Sequence, residues 1–270
     1  MFKHIPIPTC RIPEDHMAAC ETGAGASDTL AVLTLALHAG RFRMKPQPSL
    51  LLYTYRRCPY AIRARMALLV ANLRFDAHEI ILRNKPASML AVSPKGTVPV
   101  LVLDSGQVLE QSWDIVQWAL TQDPNIPDVL GWWIRAQTPD NTALLRCNDG
   151  LFKSHLDRYK YPERFAEPGR TEAGVVDQRI YQRDQAVSVL LEPLEHRLAE
   201  QPFLGGEQPC AADFGIFPFV RQFAAVDPTW FDSLPLSHVQ AWLAHWLHSP
   251  LFAVCMQKLP SDVRLAFPVQ

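Results

Sequence analysis

The residue with the clearest chemical potential in this sequence is Cys58, which lies between Arg57 and Pro59. Proline is favoured at the first position of a helix, so this pattern places Cys58 at a helix N-terminus. Unpaired N–H groups and the helix dipole favour a thiolate there, and Arg56 and Arg57 add positive charge. We therefore predict a nucleophile whose pKa lies below the roughly 8.5 of a free thiol. The alternative is a buried, inert cysteine.

A strand and a helix would position this thiol. Residues 50–55 form a short apolar and aromatic run that predicts a buried strand, and the helix from Pro59 turns apolar residues inward and Arg63 and Arg65 outward. Further strands are predicted at 75–82, 98–103 and 107–110, and further helices at 86–92 and 113–120. The order predicts an α/β layer with a mixed sheet.

The remainder of the chain predicts helices, at 141–159, 172–198, 211–225 and 237–256. We divide the chain into an N-terminal extension (1–48), an α/β domain (49–122), a linker (123–137) and an all-helical domain (138–262). Met44 precedes the first strand, which gives the hypothesis that the natural chain starts there. Asp149, Lys153 and Asp157 recur every four residues and predict ion pairs along a helix.

Composition argues against several classes of protein. The formal net charge of −1 gives no basic excess for neutralising phosphates, so we expect no nucleic-acid partner. The apolar run at 30–39 is shorter than the roughly 20 residues of a spanning helix, so we expect no membrane insertion. The six cysteines are widely spaced, which indicates a cytoplasmic protein without a disulfide scaffold. We also expect no metal, since His238, His245 and His248 lack acidic or cysteine neighbours.

Three motifs in order resemble the glutathione transferase superfamily, most of all its cysteine-type bacterial members and the two-domain glutaredoxins. They are LYTYRRCPYA at 52–61, TVPVL at 97–101 and QSWDI at 111–115, and a helical second half contains FLGG at 203–206 before CAAD at 210–213. The resemblance covers about residues 50 to 260. It implies a thioredoxin-like α/β domain that binds glutathione, followed by an all-α helical bundle.

The resemblance also implies a glutathione site. Val98 precedes Pro99 where the family has a cis proline, whose neighbouring backbone pairs with the glutathione peptide like an added strand. Gln111 and Ser112 match the pair that holds the γ-glutamyl end, and Ser112 is also a candidate helix N-cap. The predicted glutathione-binding set is Tyr60, Lys95, Val98, Pro99, Gln111 and Ser112. Tyr159 and Tyr161 are predicted to line the pocket for the second substrate.

Three positions depart from the family patterns. Ala61 stands where dithiol glutaredoxins have a second cysteine, which implies a one-thiol mechanism. Many relatives instead hold the glutathione sulfur with a tyrosine or a serine, and Tyr53, Tyr55 or Tyr60 could compete with Cys58 for that role. Cys210 replaces the family's capping Ser or Thr and is a weaker acceptor.

The leading functional hypothesis is a glutathione-dependent thiol transferase or reductase, in which Cys58 exchanges glutathione with disulfides or electrophiles. The alternatives are a conventional transferase that conjugates glutathione to hydrophobic electrophiles and a non-catalytic binding protein on the same fold. The expected partners are glutathione as co-substrate, a small hydrophobic or disulfide second substrate, and a second copy of the chain in a homodimer.

Overall fold

A computed structural model describes residues 50–123, 126–165 and 171–269. The α/β half contains β1 (Leu50–Thr54), α1 (Pro59–Val70), β2 (Phe75–Glu79), α2 (Ala87–Val92), β3 (Val100–Val102), β4 (Val108–Leu109) and α3 (Ser112–Leu120). Each element falls inside or next to a predicted one. The strands are shorter than predicted because their ends leave the ladder to form the turns around the site.

The helical half contains α4 (Pro127–Arg135), α5 (Pro139–Cys147), α6 (Lys153–Lys160), α7 (Glu172–Ala186), α8 (Glu192–Glu200), α9 (Ala211–Ala224), α10 (Pro228–Asp232), α11 (Ser237–His248) and α12 (Pro250–Cys255). Single π-helical turns, Asn148–Phe152 and Val187–Leu191, join α5 to α6 and α7 to α8. No helix within the described ranges is long and apolar enough to span a bilayer.

The centre of the sheet consists of small and aliphatic side chains in register. Leu52 on β1 lies beside Ala77 on the parallel strand β2 and beside Leu101 on the antiparallel strand β3. All three side chains are fully buried, and each buried leucine contributes about 1.5–3 kcal/mol. The predicted fold class, a thioredoxin-like α/β domain followed by a helical domain, is confirmed.

The end of the chain adds a strand that the sequence did not predict. Strand β5 (Arg264–Phe267) pairs antiparallel with β2, so the sheet order is β4-β3-β1-β2-β5. Phe267 lies opposite Phe75 on β2, and their ring centroids are 5.3 Å apart. The strand therefore follows the range predicted as all-helical and covers a sheet edge. Helix α4 lies within the range predicted as a linker, 123–137. The predicted domain boundaries stay a prediction. The predicted extension lies outside the described residues.

The expectation that Arg63 and Arg65 point to solvent is wrong. Their exposed fractions are 0% and 2%, because α1 packs against α3, α9 and α12. Arg63 donates to the Gly215 carbonyl and to both carboxylate oxygens of Asp149. Arg65 donates to the Cys255 carbonyl at 3.0 Å, to the Thr54 hydroxyl and to the Arg56 carbonyl. Both buried guanidinium groups thus have several hydrogen-bond acceptors, and each has at least one from the helical half of the chain.

The start of α9 is held by a buried carboxylate. Cys210 is the N-cap residue, and its thiol and the Asp213 carboxylate form a capping box. Asp213 accepts hydrogen bonds from the backbone N–H of Cys210 at 2.8 Å, from the N–H of Leu204 at 3.0 Å and from the Trp242 indole at 2.9 Å. The Cys210 thiol is a weak hydrogen-bond acceptor, and the Asp213 carboxylate three residues later adds a strong one at the same helix end.

Candidate active site

Cys58 is the N-cap residue of α1, with the extended backbone that this position requires. The thiol is half-buried, and its sulfur lies 3.8 Å from the Val98 carbonyl oxygen. The backbone N–H groups of Tyr60 and Ala61, in the first turn of α1, favour the anion of the sulfur. The predicted juxtaposition of a thiol, a helix N-terminus and the Val98–Pro99 backbone is therefore present.

The prediction of a lowered Cys58 pKa is wrong. Burial raises the pKa of the Cys58 thiol, and the N–H groups of Ala61 and Tyr60 and the charges of Arg65 and Lys153 only partly oppose it. The adjacent arginine does not help, because the exposed Arg57 guanidinium turns to the Tyr55 hydroxyl, 2.8 Å away. The helix dipole and local charges favour the thiolate, but desolvation of the sulfur outweighs them.

The predicted glutathione residues line the same cavity as the Cys58 thiol. The Val98–Pro99 peptide bond is cis, as the motif implies. Ser112 differs from the prediction in one respect: it is the first residue of α3, Gln111 is the N-cap, and neither side chain caps the helix. Instead, the buried Ser112 hydroxyl accepts a hydrogen bond from Nη1 of Arg63 at 3.2 Å. The hydroxyl hydrogen stays available to an acceptor in the cavity.

A cavity of about 1040 Å³ extends from Cys58 between the two halves of the molecule. Its size is at the upper end of the range for small-molecule sites. From the α/β half it is lined by Tyr55, Arg57, Cys58, Pro59, Tyr60, Leu82, Lys85, Lys95, Gly96, Thr97, Val98, Pro99, Glu110, Gln111 and Ser112. From the helical half it is lined by Asp149, Lys153, Asp157, Lys160, Tyr161 and Gln222.

The two tyrosines predicted for the second-substrate pocket behave differently. Tyr161 lines the cavity at the end of α6. Tyr159 does not, and that prediction is wrong: its side chain is 3% exposed and packs against Phe223 and Trp230. Residues two apart on a helix point in nearly opposite directions, so only one of the pair can face the cavity.

Of the three tyrosines that could compete with Cys58, Tyr55 and Tyr60 line the cavity and Tyr53 does not. Tyr53 is 3% exposed and stacks on His78, and it does not line the cavity. Burial, with the nearby Asp149 charge, raises the pKa of Tyr60 to about 12. Tyr60 also packs edge-on against Phe219 at 4.8 Å. Its hydroxyl therefore stays protonated at neutral pH.

Sequence reasoning missed two kinds of site residue. Arg63 was treated as solvent-facing because an arginine on an amphipathic helix is usually exposed. Asp149, Lys153 and Asp157 were treated as a set of helix ion pairs; Lys153 and Asp157 do pair, but Asp149 pairs with Arg63 instead. Their four-residue spacing did indicate one helix face. Nothing local indicated that this face lines a cavity.

Comparisons with known proteins agree with this architecture. Residues 52–127 match the family model described as Glutathione S-transferase, N-terminal domain, and residues 182–245 match Glutathione S-transferase, C-terminal domain. The chain belongs to the glutathione transferase superfamily. It is a glutathione transferase-like enzyme, and the α/β wall of the cavity lies within the matched N-terminal domain.

Curated relatives of this transferase include omega-class enzymes. Glutathione S-transferase omega-1 of Mus musculus is 25% identical over 224 residues, which are 80% of this chain and 79% of the mouse protein. Glutathione S-transferase omega-2 of Homo sapiens is 34% identical over 67 residues, 25% of this chain and 28% of the human protein.

Solved structures share the fold of this transferase. A glutathione S-transferase from Methylobacillus flagellatus with GSH bound has a TM-score of 0.61 at 17% identity, over 77% of this chain and 98% of that one. A glutathione S-transferase from Xanthobacter autotrophicus has a TM-score of 0.55 at 23% identity, over 75% of this chain and 94% of that one. At such identities the likeness establishes the fold.

Proposed function

We propose that the protein is a glutathione-dependent thiol transferase that reduces glutathione mixed disulfides through Cys58. The observation that carries this proposal is the position of the cysteines. Of the four cysteines in the described residues, only Cys58 lines the large cavity. Its sulfur lies beside the cis Val98–Pro99 backbone and faces two N–H groups. A thiol at this point can attack a sulfur of a bound disulfide.

The α/β wall has the groups that a glutathionyl moiety needs. The Val98 backbone offers strand-like pairing to the peptide. The Ser112 hydroxyl is fixed by Arg63, so its hydrogen can be donated to the γ-glutamyl carboxylate beside the start of α3. Lys95, whose ammonium donates to the Glu110 carbonyl at 2.8 Å, places a positive charge on the same wall.

The reaction has two displacement steps. The Cys58 thiolate attacks the glutathionyl sulfur of a mixed disulfide; the S–S bond breaks, and the other thiol leaves as its anion and takes up a proton. A second glutathione thiolate then attacks the glutathionyl sulfur on Cys58, which releases glutathione disulfide and restores the thiolate. The proton lost by the second glutathione balances the one taken up by the leaving thiol. Ala61 offers no internal thiol, so glutathione must resolve the intermediate.

The raised pKa of Cys58 has two consequences for this chemistry. Less thiolate is present at neutral pH, but the thiolate of a weaker acid is intrinsically more nucleophilic. The N–H groups of Tyr60 and Ala61 stabilise the same sulfur when it leaves in the second step. Turnover should therefore rise with pH until the Cys58 thiol is ionised.

The same raised pKa favours a second candidate function. A neutral Cys58 thiol, or the protonated Tyr60 hydroxyl, could donate a hydrogen bond to a glutathione thiolate that itself attacks an electrophile. The protein would then be a conventional conjugating transferase. In that case Cys58 would assist and would form no covalent bond.

A pair of steady-state assays with wild type and Cys58→Ser separates the two functions. We expect the wild type to reduce a glutathione mixed disulfide faster than it conjugates glutathione to a chlorinated nitrobenzene. We expect Cys58→Ser to lose disulfide reduction by at least about a hundredfold, since a hydroxyl cannot form the mixed disulfide. Conjugation that dominates in the wild type, or disulfide reduction that survives in Cys58→Ser, would favour the conventional transferase.

We also propose that the chain forms a homodimer of the kind that the superfamily resemblance implies. Helix α7 supports this proposal, since Val176, Ile180 and Tyr181 are 50%, 41% and 54% exposed. Sedimentation at micromolar concentration should give twice the chain mass. A strictly monomeric species would contradict the proposal.

A further inference from the structure

The helical wall of the cavity is charged, although the second substrate of a conjugating transferase would need an apolar surface. Asp149, Lys153, Asp157 and Lys160 follow one another at about one helical turn and all line the cavity. The wall continues into Tyr161 at the end of α6. This surface suits a polar second substrate.

The acidic groups of the cavity are already paired. Asp149 forms a bidentate ion pair with Arg63, and Asp157 pairs with Lys153. Glu110, on the other wall, accepts from the Ser93 hydroxyl and lies 4.0 Å from the Lys95 ammonium. These carboxylates therefore offer little net negative charge to a ligand.

Two cations lie against the Tyr161 ring. The Lys160 ammonium lies 5.0 Å from the Tyr161 ring centroid, and the Arg164 guanidinium lies 4.0 Å from it. Arg57, beside Cys58 in sequence, lines the same cavity as Tyr161. Among the ion pairs of the described residues, none gives Arg57, Lys160 or Arg164 a carboxylate partner. We call Arg57, Lys160, Tyr161 and Arg164 the Tyr161 cluster.

The Tyr161 cluster is separate from the cations that serve the glutathione wall. Lys85 and Lys95 lie beside Gly96 on that wall, and we assign them to the carboxylates of glutathione itself. Lys160 and Tyr161 lie at the C-terminal end of α6 on the opposite wall, and Arg57 lines the cavity from the α/β wall. The carboxylates of a bound glutathionyl group would pair with Lys85 and Lys95. The Tyr161 cluster would then be free to bind another anion.

We propose that the Tyr161 cluster binds a carboxylate of the second substrate, so that the favoured substrates are mixed disulfides of glutathione with an anionic leaving thiol. The inference rests on the proposed function and names the substrate class of the same site. Attraction between the carboxylate and two or three cations holds the leaving sulfur next to Cys58. The leaving thiol departs with its own carboxylate still at the cluster.

Three mixed disulfides that differ only in the charge of the leaving thiol test the inference. Glutathione is joined to 3-mercaptopropionate, which is anionic, to 2-mercaptoethanol, which is neutral, and to cysteamine, which is cationic. Each kcat/KM is divided by the uncatalysed rate of the same disulfide with glutathione, which removes differences in leaving-thiol chemistry. We expect the anionic substrate to exceed the neutral one by about fivefold, as surface ion pairs allow, and the cationic one to be poorest.

Variants show whether the Tyr161 cluster causes the preference. Lys160→Gln and Arg57→Gln should each lower the ratio of anionic to neutral substrate by about twofold to fivefold. Lys258→Gln removes an exposed charge that does not line the cavity and should leave the ratio as in the wild type. Equal normalised rates for all three disulfides, or a preference that survives both cluster variants, would overturn the inference alone. Failure of the wild type to reduce any of them would overturn the proposed function and the inference with it.

Discussion

Cys58 and Cys210 occupy the same local position, the N-cap of a helix, and only one of them faces a cavity. Cys58 precedes α1, is half-buried and lines the large cavity. Cys210 precedes α9, is fully buried and shares its capping box with Asp213. Burial raises the pKa of both thiols, and the Asp213 charge raises that of Cys210 further.

The difference shows that a helix N-terminus alone does not define a reactive thiol. At both sites backbone N–H groups favour the anion, and at both sites desolvation outweighs them. What separates the two cysteines is access to a ligand and the neighbouring groups. Cys58 has Val98, Ser112 and open volume beside it, whereas Cys210 has a carboxylate and a packed core.

The largest expected effect concerns labelling of the two thiols. In the native protein, iodoacetamide should alkylate Cys58 at least about a thousandfold faster than Cys210, because Cys210 becomes accessible only through unfolding. Quantitative mass spectrometry of the two peptides gives the ratio directly. Comparable labelling rates under native conditions would contradict the claim that Cys58 is accessible and Cys210 is not.

The next effect concerns the carboxylate beside Cys210. Asp213→Ala leaves three buried N–H groups without an acceptor and should lower the free energy of unfolding by about 3–5 kcal/mol. Denaturant titration measures this loss, with Cys58→Ala as the control, which should change the same quantity by less than about 1 kcal/mol. A small loss in Asp213→Ala would mean that the buried capping box contributes little.

A smaller effect is the pH dependence of Cys58 itself. Because a protonated thiol is neutral and burial favours that form, the Cys58 pKa is raised and the thiolate appears late as the pH increases. The alkylation rate of Cys58 should therefore reach its midpoint at a higher pH than that of free N-acetylcysteine measured in parallel. A lower midpoint would mean that the helix dipole and the neighbouring arginines outweigh the desolvation of the Cys58 sulfur.

Short local motifs made much of the α/β wall predictable. Cys58, Val98, Gln111 and Ser112 lie at strand and helix ends, so their arrangement follows from the order of the elements. Arg63 could not be placed in the same way. Its burial depends on partners 86 and 152 residues away, which no local pattern contains.

The helical wall was predictable only as a set of helices. A four-residue spacing identifies one helix face but not what that face meets, so Asp149 was assigned to the wrong partner. The family resemblance predicted both Tyr159 and Tyr161 as lining residues, although Tyr159 lies in the core and only Tyr161 lines the cavity. Strand β5 was missed because its residues form a strand only through pairing with β2.

The central claim is that Cys58 forms a covalent bond to glutathione during turnover. The most direct measurement is acid quenching of the wild type with a glutathione mixed disulfide, without free glutathione, followed by peptide mass spectrometry. We expect one glutathionyl group per chain on the peptide that contains Cys58, formed within a single turnover and removed when glutathione is added. An unmodified Cys58 in a protein that still reduces the disulfide would contradict the account.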